Sequence, residues 1–227
     1  MLTPPVAGQA TSTTAAERRG HWHGRVARAI AQRELKDEVI LECAASWFHR
    51  HGFHGASLSD IAGELGVTKA ALYHYASSKE ELLYRLHVRS LQAARAARDQ
   101  AVAGGTDGLD RIARLVYNVV MVMTGTPAES FFLLEPGTLS AAHAVQIEQA
   151  RSWLKLDLRD LLVRGMADGS IAPCDPKLAA FFIVGAQNWV GRWHSPAGAW
   201  PREKIAASYA DMVRRLLAPP RLGAAAT

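Results

Sequence analysis

The chain of 227 residues is 49% hydrophobic, enough to close a sizeable core, and its net charge of +5 favours polyanionic partners without demanding them. The longest apolar run, Leu178 to Ala186, is about half of what a membrane crossing requires, and no continuous apolar leader opens the sequence, so a cytoplasmic protein with no membrane partner is expected. Two cysteines, Cys43 and Cys174, are too few and too separated for a disulfide framework or a zinc module, and neither a metal nor a cofactor is expected.

Residues 1–32 begin rich in Thr, Ala, Pro and Gly and then carry Arg18, Arg19, Arg25 and Arg28 with His21 and His23. Such a segment reads as a disordered basic arm, either a passive solvated tail or a strand of cations that follows phosphates. From about Glu34 to His51, Ile40, Ala44, Trp47 and Phe48 recur at helical spacing and define one buried stripe. His49, His51 and His54 cluster at its end without a carboxylate or cysteine to complete a ligand set, which argues against a metal site.

The next stretch, SLSDIAGELGVTKAALYHY from Ser57 to Tyr75, reads as two short helices joined by a tight turn. Ser57 and Asp60 have the spacing of a capping box, Leu58, Ile61, Ala62 and Leu65 form the buried side, and Gly66 supplies a left-handed residue where the chain turns. Val67 is expected to plug that turn. Thr68 caps the second helix, Leu72 faces inward, and Lys69, Ala70, Tyr73 and His74 face out, where DNA could be met. Ser78-Lys79-Glu80-Glu81 then forms a second capping box whose free N–H groups suit a phosphate, with Lys79 adding a point charge.

A long helix continues through Leu82, Leu83, Leu86 and Leu91 to about Ala101, and the glycine-rich run from Gly104 to Gly108 breaks it. Everything after Leu109 is helical in pattern. Ile112, Leu115, Val116, Val119 and Val120 mark one helix; a short one from Pro127 carries Phe131, Phe132 and Leu133; another runs from about Leu139 to Ala167. Arg151, Lys155 and Arg159 lie along the polar face of the last and read as a row of solvated cations. Asp175 and Pro176 open a helix that is apolar nearly all round, in which Gln187 and Asn188 need polar partners, for instance across a subunit interface. The last helix starts near Pro201, with Ile205, Tyr209, Met212, Val213, Leu216 and Leu217 at helical spacing.

The landmarks between Ile40 and Leu83 occur in a fixed order: VILECAASWFHRHGF, then the DIA step, the GVT turn, LYHY and SKEELL. In this order they resemble the amino-terminal domain of the TetR family of transcriptional repressors. Ala71 stands where the family usually has Thr or another polar residue, and Ala76 where it usually has Phe. The resemblance implies an all-α, TetR-like fold: an amino-terminal three-helix DNA-binding domain with a helix-turn-helix, and a larger helical ligand-binding and dimerisation domain. The corresponding boundaries are 33–80 and 81–218, flanked by the arm 1–32 and a flexible tail 219–227. It further implies a homodimer on palindromic operator DNA, held together by the last two helices. Ser57, Thr68, Lys69, Ala70, Tyr73, His74 and Lys79 become the DNA-binding set, with Thr68, Tyr73 and Lys79 on phosphates and Lys69 and His74 in the groove.

The segment QNWVGRWHSPAGAW is similar to the corresponding region of TetR-type regulators that answer to coenzyme A thioesters in lipid or steroid breakdown. That likeness implies a small apolar effector near Asn188, Trp189, Arg192 and Trp193, with Arg151 as a phosphate partner and Phe131 and Phe132 lining an acyl slot. A repressor that senses oxidants through Cys174 is an alternative. A helical enzyme using Cys174, His143, His194 or Glu135 finds no nucleophile elbow, phosphate-cradling glycine loop or HExxH motif in the sequence, and an adaptor without a DNA role would leave the helix-turn-helix incidental.

Overall fold

The computed structural model describes residues 15–128 and 137–220, with side chains from residue 35 onward except that of Trp153. Eight helices are found among the described residues: α1 (Ala15–Gly55), α2 (Leu58–Glu64), α3 (Lys69–Tyr73), α4 (Lys79–Gly104), α5 (Gly108–Met123), α6 (Ala141–Ala167), α7 (Pro176–Trp193) and α8 (Arg202–Leu217). Every regular element among the described residues is helical, and none of these helices is long and apolar enough to cross a membrane. The chain forms two compact units, Met1–Val39 and Ile40–Thr227, and the second contains both the reading unit and the larger helical domain.

The backbone is helical from Ala15, inside the segment expected to be a disordered arm. The stretch AAERRGHWHGRVARAIAQRE is rich in strong helix formers, and extending an existing helix is far easier than nucleating one. The short helix expected from Pro127, with Phe131 and Phe132, and most of the expected tail 219–227 lie outside the described residues.

The small core of the second unit joins α1 to the helix pair. Ala44, Ala45 and Phe48 of α1 pack with Leu58, Ile61 and Ala62 of α2, Leu72 of α3 and Leu82, Leu83 and Leu86 of α4. Ala76 is buried in this cluster, so the small residue is absorbed as packing at a place where the family favours a larger one. Gly66 has φ of 67°, and the N–H of Val67 returns to the Ala62 carbonyl at 3.0 Å, which closes the end of α2. That bond carries Val67 past the helix end and out to the surface, where it is 45% exposed, so it does not plug the turn.

The larger core lies further along the same α4. Ala101 of α4 meets Ile112, Leu115 and Val116 of α5, Leu158, Leu161 and Leu162 of α6, Ala180 and Ile183 of α7, and Val213 and Leu217 of α8. Ala94, Ala97 and Ala101 give α4 a small-residue face toward α5, and Asn118 Nδ2 donates to the Ala97 carbonyl at 3.0 Å. Where α5 begins, a Cβ at Gly108 would fall 2.2 Å from the Gly165 Cα, so two glycines let α5 and α6 touch backbone to backbone. Thus α4 belongs to both cores and spans reading unit and effector domain.

Candidate DNA-reading surface and effector cavity

The reading unit is built from locally bonded caps. Ser57 Oγ accepts the Asp60 N–H at 3.2 Å while Asp60 Oδ2 accepts the Ser57 N–H at 3.1 Å, the reciprocal pair that the spacing predicts. Thr68 Oγ1 accepts the Ala71 N–H at 3.1 Å, and Ser78 Oγ accepts the Glu81 N–H at 3.0 Å. The Glu81 carboxylate reaches Ser77 rather than Ser78, accepting its N–H at 2.6 Å. These bonds hold its carboxyl below the usual carboxylate range: the Ser77 hydroxyl contributes most, against a smaller upward push from burial.

With Leu72 buried, Thr68, Lys69, Ala70, Tyr73 and His74 share one exposed strip. Tyr73 is 49% exposed, and the Lys69 ammonium lies 5.9 Å from the centre of its ring, at the outer edge of a cation–π contact. Ser57 stands apart, half-buried, with its hydroxyl used in the α2 cap. Lys79 has a structural role that the sequence reading did not include. Its ammonium donates to the Phe53 carbonyl at 2.6 Å and the Ala56 carbonyl at 2.8 Å and lies 4.4 Å from the Phe53 ring centre, so it ties the end of α1 to the start of α4. Phe53 lies in the last turn of α1 and Ala56 just beyond its end, where carbonyls lack helical partners and can accept from a cation. Arg85, which the sequence did not single out, does the same on the other side, donating to the Tyr75 carbonyl at 2.9 Å.

A cavity of about 210 Å³ lies between α4, α5, α6 and α7. Leu91, Leu115, Val119, Met123, Leu154 and Val184 make it largely apolar. Arg98, Glu148, Arg151, Lys155, Asp157, Gln187 and Asn188 supply its polar groups. Arg98 and Asp157 neutralise each other, with Nη2 donating to Oδ1 at 2.7 Å and Nε in contact with Oδ2. Lys155 Nζ donates to Glu148 Oε1 at 3.3 Å. At Arg151 burial weighs against the charge, and the Glu148 carboxylate partly offsets that. Gln187, 7% exposed, turns its Nε2 toward the Val116 carbonyl at 3.5 Å, a partner inside the chain.

Of the effector residues expected from the sequence, Arg151 and Asn188 line this cavity, and Phe131 and Phe132 lie outside the described residues. Trp189, Arg192 and Trp193 do not line it: Trp189 is 64% exposed, Arg192 is exposed, and Trp193 packs edge-on against Trp200 with ring centres 6.2 Å apart. The reason is helical phase. Ile183, Gln187 and Val190 take the inward face of α7, which leaves Trp189 and Trp193 on the outward one. The expected row of solvated cations also divides, since Arg151 and Lys155 line the cavity while the Arg159 guanidinium lies 5.5 Å from the Phe181 ring centre. The Arg98–Asp157 pair and Glu148 were missed; α4 and α6 carry them 59 positions apart for the pair, and no local spacing connects the two.

Leu178, Phe182 and Trp189 on α7 and Met212 and Leu216 on α8 are large apolar side chains left exposed.

Two family descriptions match the chain. Residues 40–86 match the amino-terminal domain described as bacterial regulatory proteins of the tetR family, and residues 105–217 match the tetracyclin repressor-like carboxy-terminal domain. The HTH-type transcriptional repressor KstR2 of Mycolicibacterium smegmatis is 26% identical over 192 residues, covering 81% of this chain and 91% of that protein. The TetR family transcriptional regulator PfmR from Thermus thermophilus superposes with a TM-score of 0.72 at 31% identity, covering 78% of this chain and 97% of PfmR. AibR, in a structure with isovaleryl coenzyme A and operator DNA, superposes with a TM-score of 0.69 at 25% identity, covering 78% and 96%.

Proposed function

The chain belongs to the TetR family of transcriptional regulators, and from this we propose that it is a cytoplasmic receptor for a short-chain acyl-CoA thioester whose binding releases it from operator DNA. It is a ligand-responsive repressor that acts as a dimer on DNA. The observation that carries the effector assignment is the cavity. Its wall is apolar, its volume of about 210 Å³ falls below the roughly 300–1,000 Å³ of pockets that enclose a whole drug-sized ligand, and Arg151 lies at its polar side. A branched or straight short acyl group fits such a space, while the bulk of coenzyme A must lie outside it. AibR, whose structure holds isovaleryl coenzyme A, supports the same class of ligand. The reading is of a regulator and assigns no reaction to the chain.

In this reading Thr68 and Tyr73 meet phosphates, Lys69 and His74 reach base edges, and Ala70 lets the backbone of α3 approach the groove. Lys79 and Arg85 set the pose of the unit. The α7 and α8 faces pair two subunits so that their α3 helices stand about 34 Å apart, one turn of B-DNA. An effector that fits better when α4 is swung changes this spacing, and it shifts the equilibrium only by its difference in affinity for the two states, ordinarily about 5 to 150-fold.

Titration calorimetry of the full chain with isovaleryl-CoA, palmitoyl-CoA, a steroid-type CoA thioester and free CoA tests the effector class. Isovaleryl-CoA should bind at least about tenfold tighter than free CoA, a 1.4 kcal/mol difference, and tighter than the two bulky thioesters. Equal binding of free CoA and isovaleryl-CoA, or none of either, refutes the assignment.

A further inference from the structure

One set of polar side chains belongs neither to the reading strip nor to the cavity. It joins the first turns of α4 to the first turns of α6. Glu80 Oε1 accepts the Ser140 N–H at 2.9 Å and the His143 Nδ1–H at 2.7 Å. Tyr84 stacks on the His143 ring, with centres 3.9 Å apart and planes 12° apart, and its hydroxyl donates to Gln146 Oε1 at 2.7 Å. These partners are 60 to 63 positions apart in the chain. Burial pushes the Glu80 carboxyl up, but the bonds from Ser140 and His143 more than offset it and leave it below its ordinary value.

The position of this set matters more than its strength. Glu80 lies between Lys79, which holds the Phe53 and Ala56 carbonyls, and Glu81, which holds Ser77, so one turn of α4 carries the supports of the reading unit on one side and the contact to α6 on the other. Beyond it, Tyr84 and Gln146 line a groove of about 260 Å³ between α4 and α6, together with Val88, Leu91, Ile147 and Leu154. Leu91 and Leu154 also line the cavity, so groove and cavity adjoin at that pair.

We propose that Glu80, Tyr84, His143 and Gln146 form a clasp that positions α4 for operator binding, and that the pantetheine arm of a thioester effector enters the α4–α6 groove and parts it. The second half rests on the effector class proposed above. An acyl group in the cavity leaves the rest of the molecule to exit, and the groove is the adjoining space. Pantetheine is an amide-bearing chain. Its donors and acceptors can replace Tyr84 and Gln146 as each other's partners, which opens the bridge without leaving a polar group bare. At this end of α4 the Tyr84–Gln146 bond is then gone from the contact to α6, and the helix that carries the reading unit gains freedom.

The test uses the full-length variants Tyr84→Phe, Gln146→Ala and His143→Gln. For each, thermal unfolding, operator affinity without effector, and the factor by which isovaleryl-CoA weakens operator binding are measured. Tyr84→Phe keeps the ring stack, and Gln146 is exposed, so neither variant threatens folding. Unchanged Tm, operator binding about fivefold or more weaker without effector, and a release factor at most half that of wild type are expected. Operator affinity and release within twofold of wild type in all folded variants overturn the clasp. Should isovaleryl-CoA fail to bind the wild type, the effector class and the groove assignment fall together, while the effector-free affinities still decide whether the clasp positions α4.

Discussion

The reading unit and the effector domain are knitted in different ways. In the reading unit the defining bonds are short in sequence: Ser57 with Asp60, Thr68 with Ala71 and Ser78 with Glu81 are each three residues apart. In the effector domain they are long: Arg98 reaches Asp157 across 59 positions, Gln187 reaches Val116 across 71, and Tyr84 reaches Gln146 across 62. Local bonds fix the shape of a recognition surface almost independently of what surrounds it. Long-range bonds depend on how whole helices lie, which is the property a ligand must be able to alter.

The largest way to test that difference is to damage one region and ask whether the other survives. Ile61 is fully buried in the small core, and Ile61→Ala should cost about 2–5 kcal/mol through lost contacts and the cavity left behind. Operator binding should collapse while calorimetric binding of isovaleryl-CoA and the dimer by sedimentation persist; loss of all three would mean that the regions are not separable. A smaller effect is expected at the turn. Gly66→Ala places a side chain at φ of 67° and should destabilise the reading unit by about 1–2 kcal/mol, seen as a lower denaturation midpoint with an unchanged slope.

Two lysines sharpen the comparison further at little cost in stability. Lys69→Ala should relax the preference at the base pair it meets by about 1–3 kcal/mol, the loss of one base-edge contact, whereas Lys79→Met should leave the slope of log operator affinity against log salt unchanged and lower Tm instead. A reduced slope for Lys79→Met would return that side chain to the DNA contacts. The smallest effect is chemical. Burial, with a smaller push from Glu64, raises the Cys43 thiol to about 11, so at pH 8 its protonated form dominates and the thiolate that iodoacetamide attacks is scarce. Cys174 is exposed, and mass spectrometry should find it alkylated well before Cys43.

What could be read from the sequence follows the same division. The caps at Ser57, Thr68 and Ser78, the turn at Gly66 and the inward Leu72 were legible because each depends on residues within one or two turns. The bonds from Lys79 to the carbonyls of Phe53 and Ala56 were not legible, because these partners lie 26 and 23 positions away and no local spacing connects them. Within the effector domain the inward stripe of α5 was visible, but the phase of α7 was not. Nearly all of its residues are apolar, so periodicity could not say that Gln187 faces in and Trp189 out. The clasp was invisible for a related reason, since Glu80 was already explained as part of a capping box and His143 had no neighbour in sequence to suggest a partner.

The central claim is that the chain is released from its operator by a short-chain acyl-CoA thioester. Fluorescence anisotropy of a labelled duplex from the DNA upstream of its own coding region, saturated with protein and then titrated with isovaleryl-CoA and with free CoA, tests it most directly. The account predicts tight, salt-sensitive binding that isovaleryl-CoA reverses by about 5 to 150-fold and free CoA leaves in place. Operator binding that persists unchanged at saturating isovaleryl-CoA would contradict it.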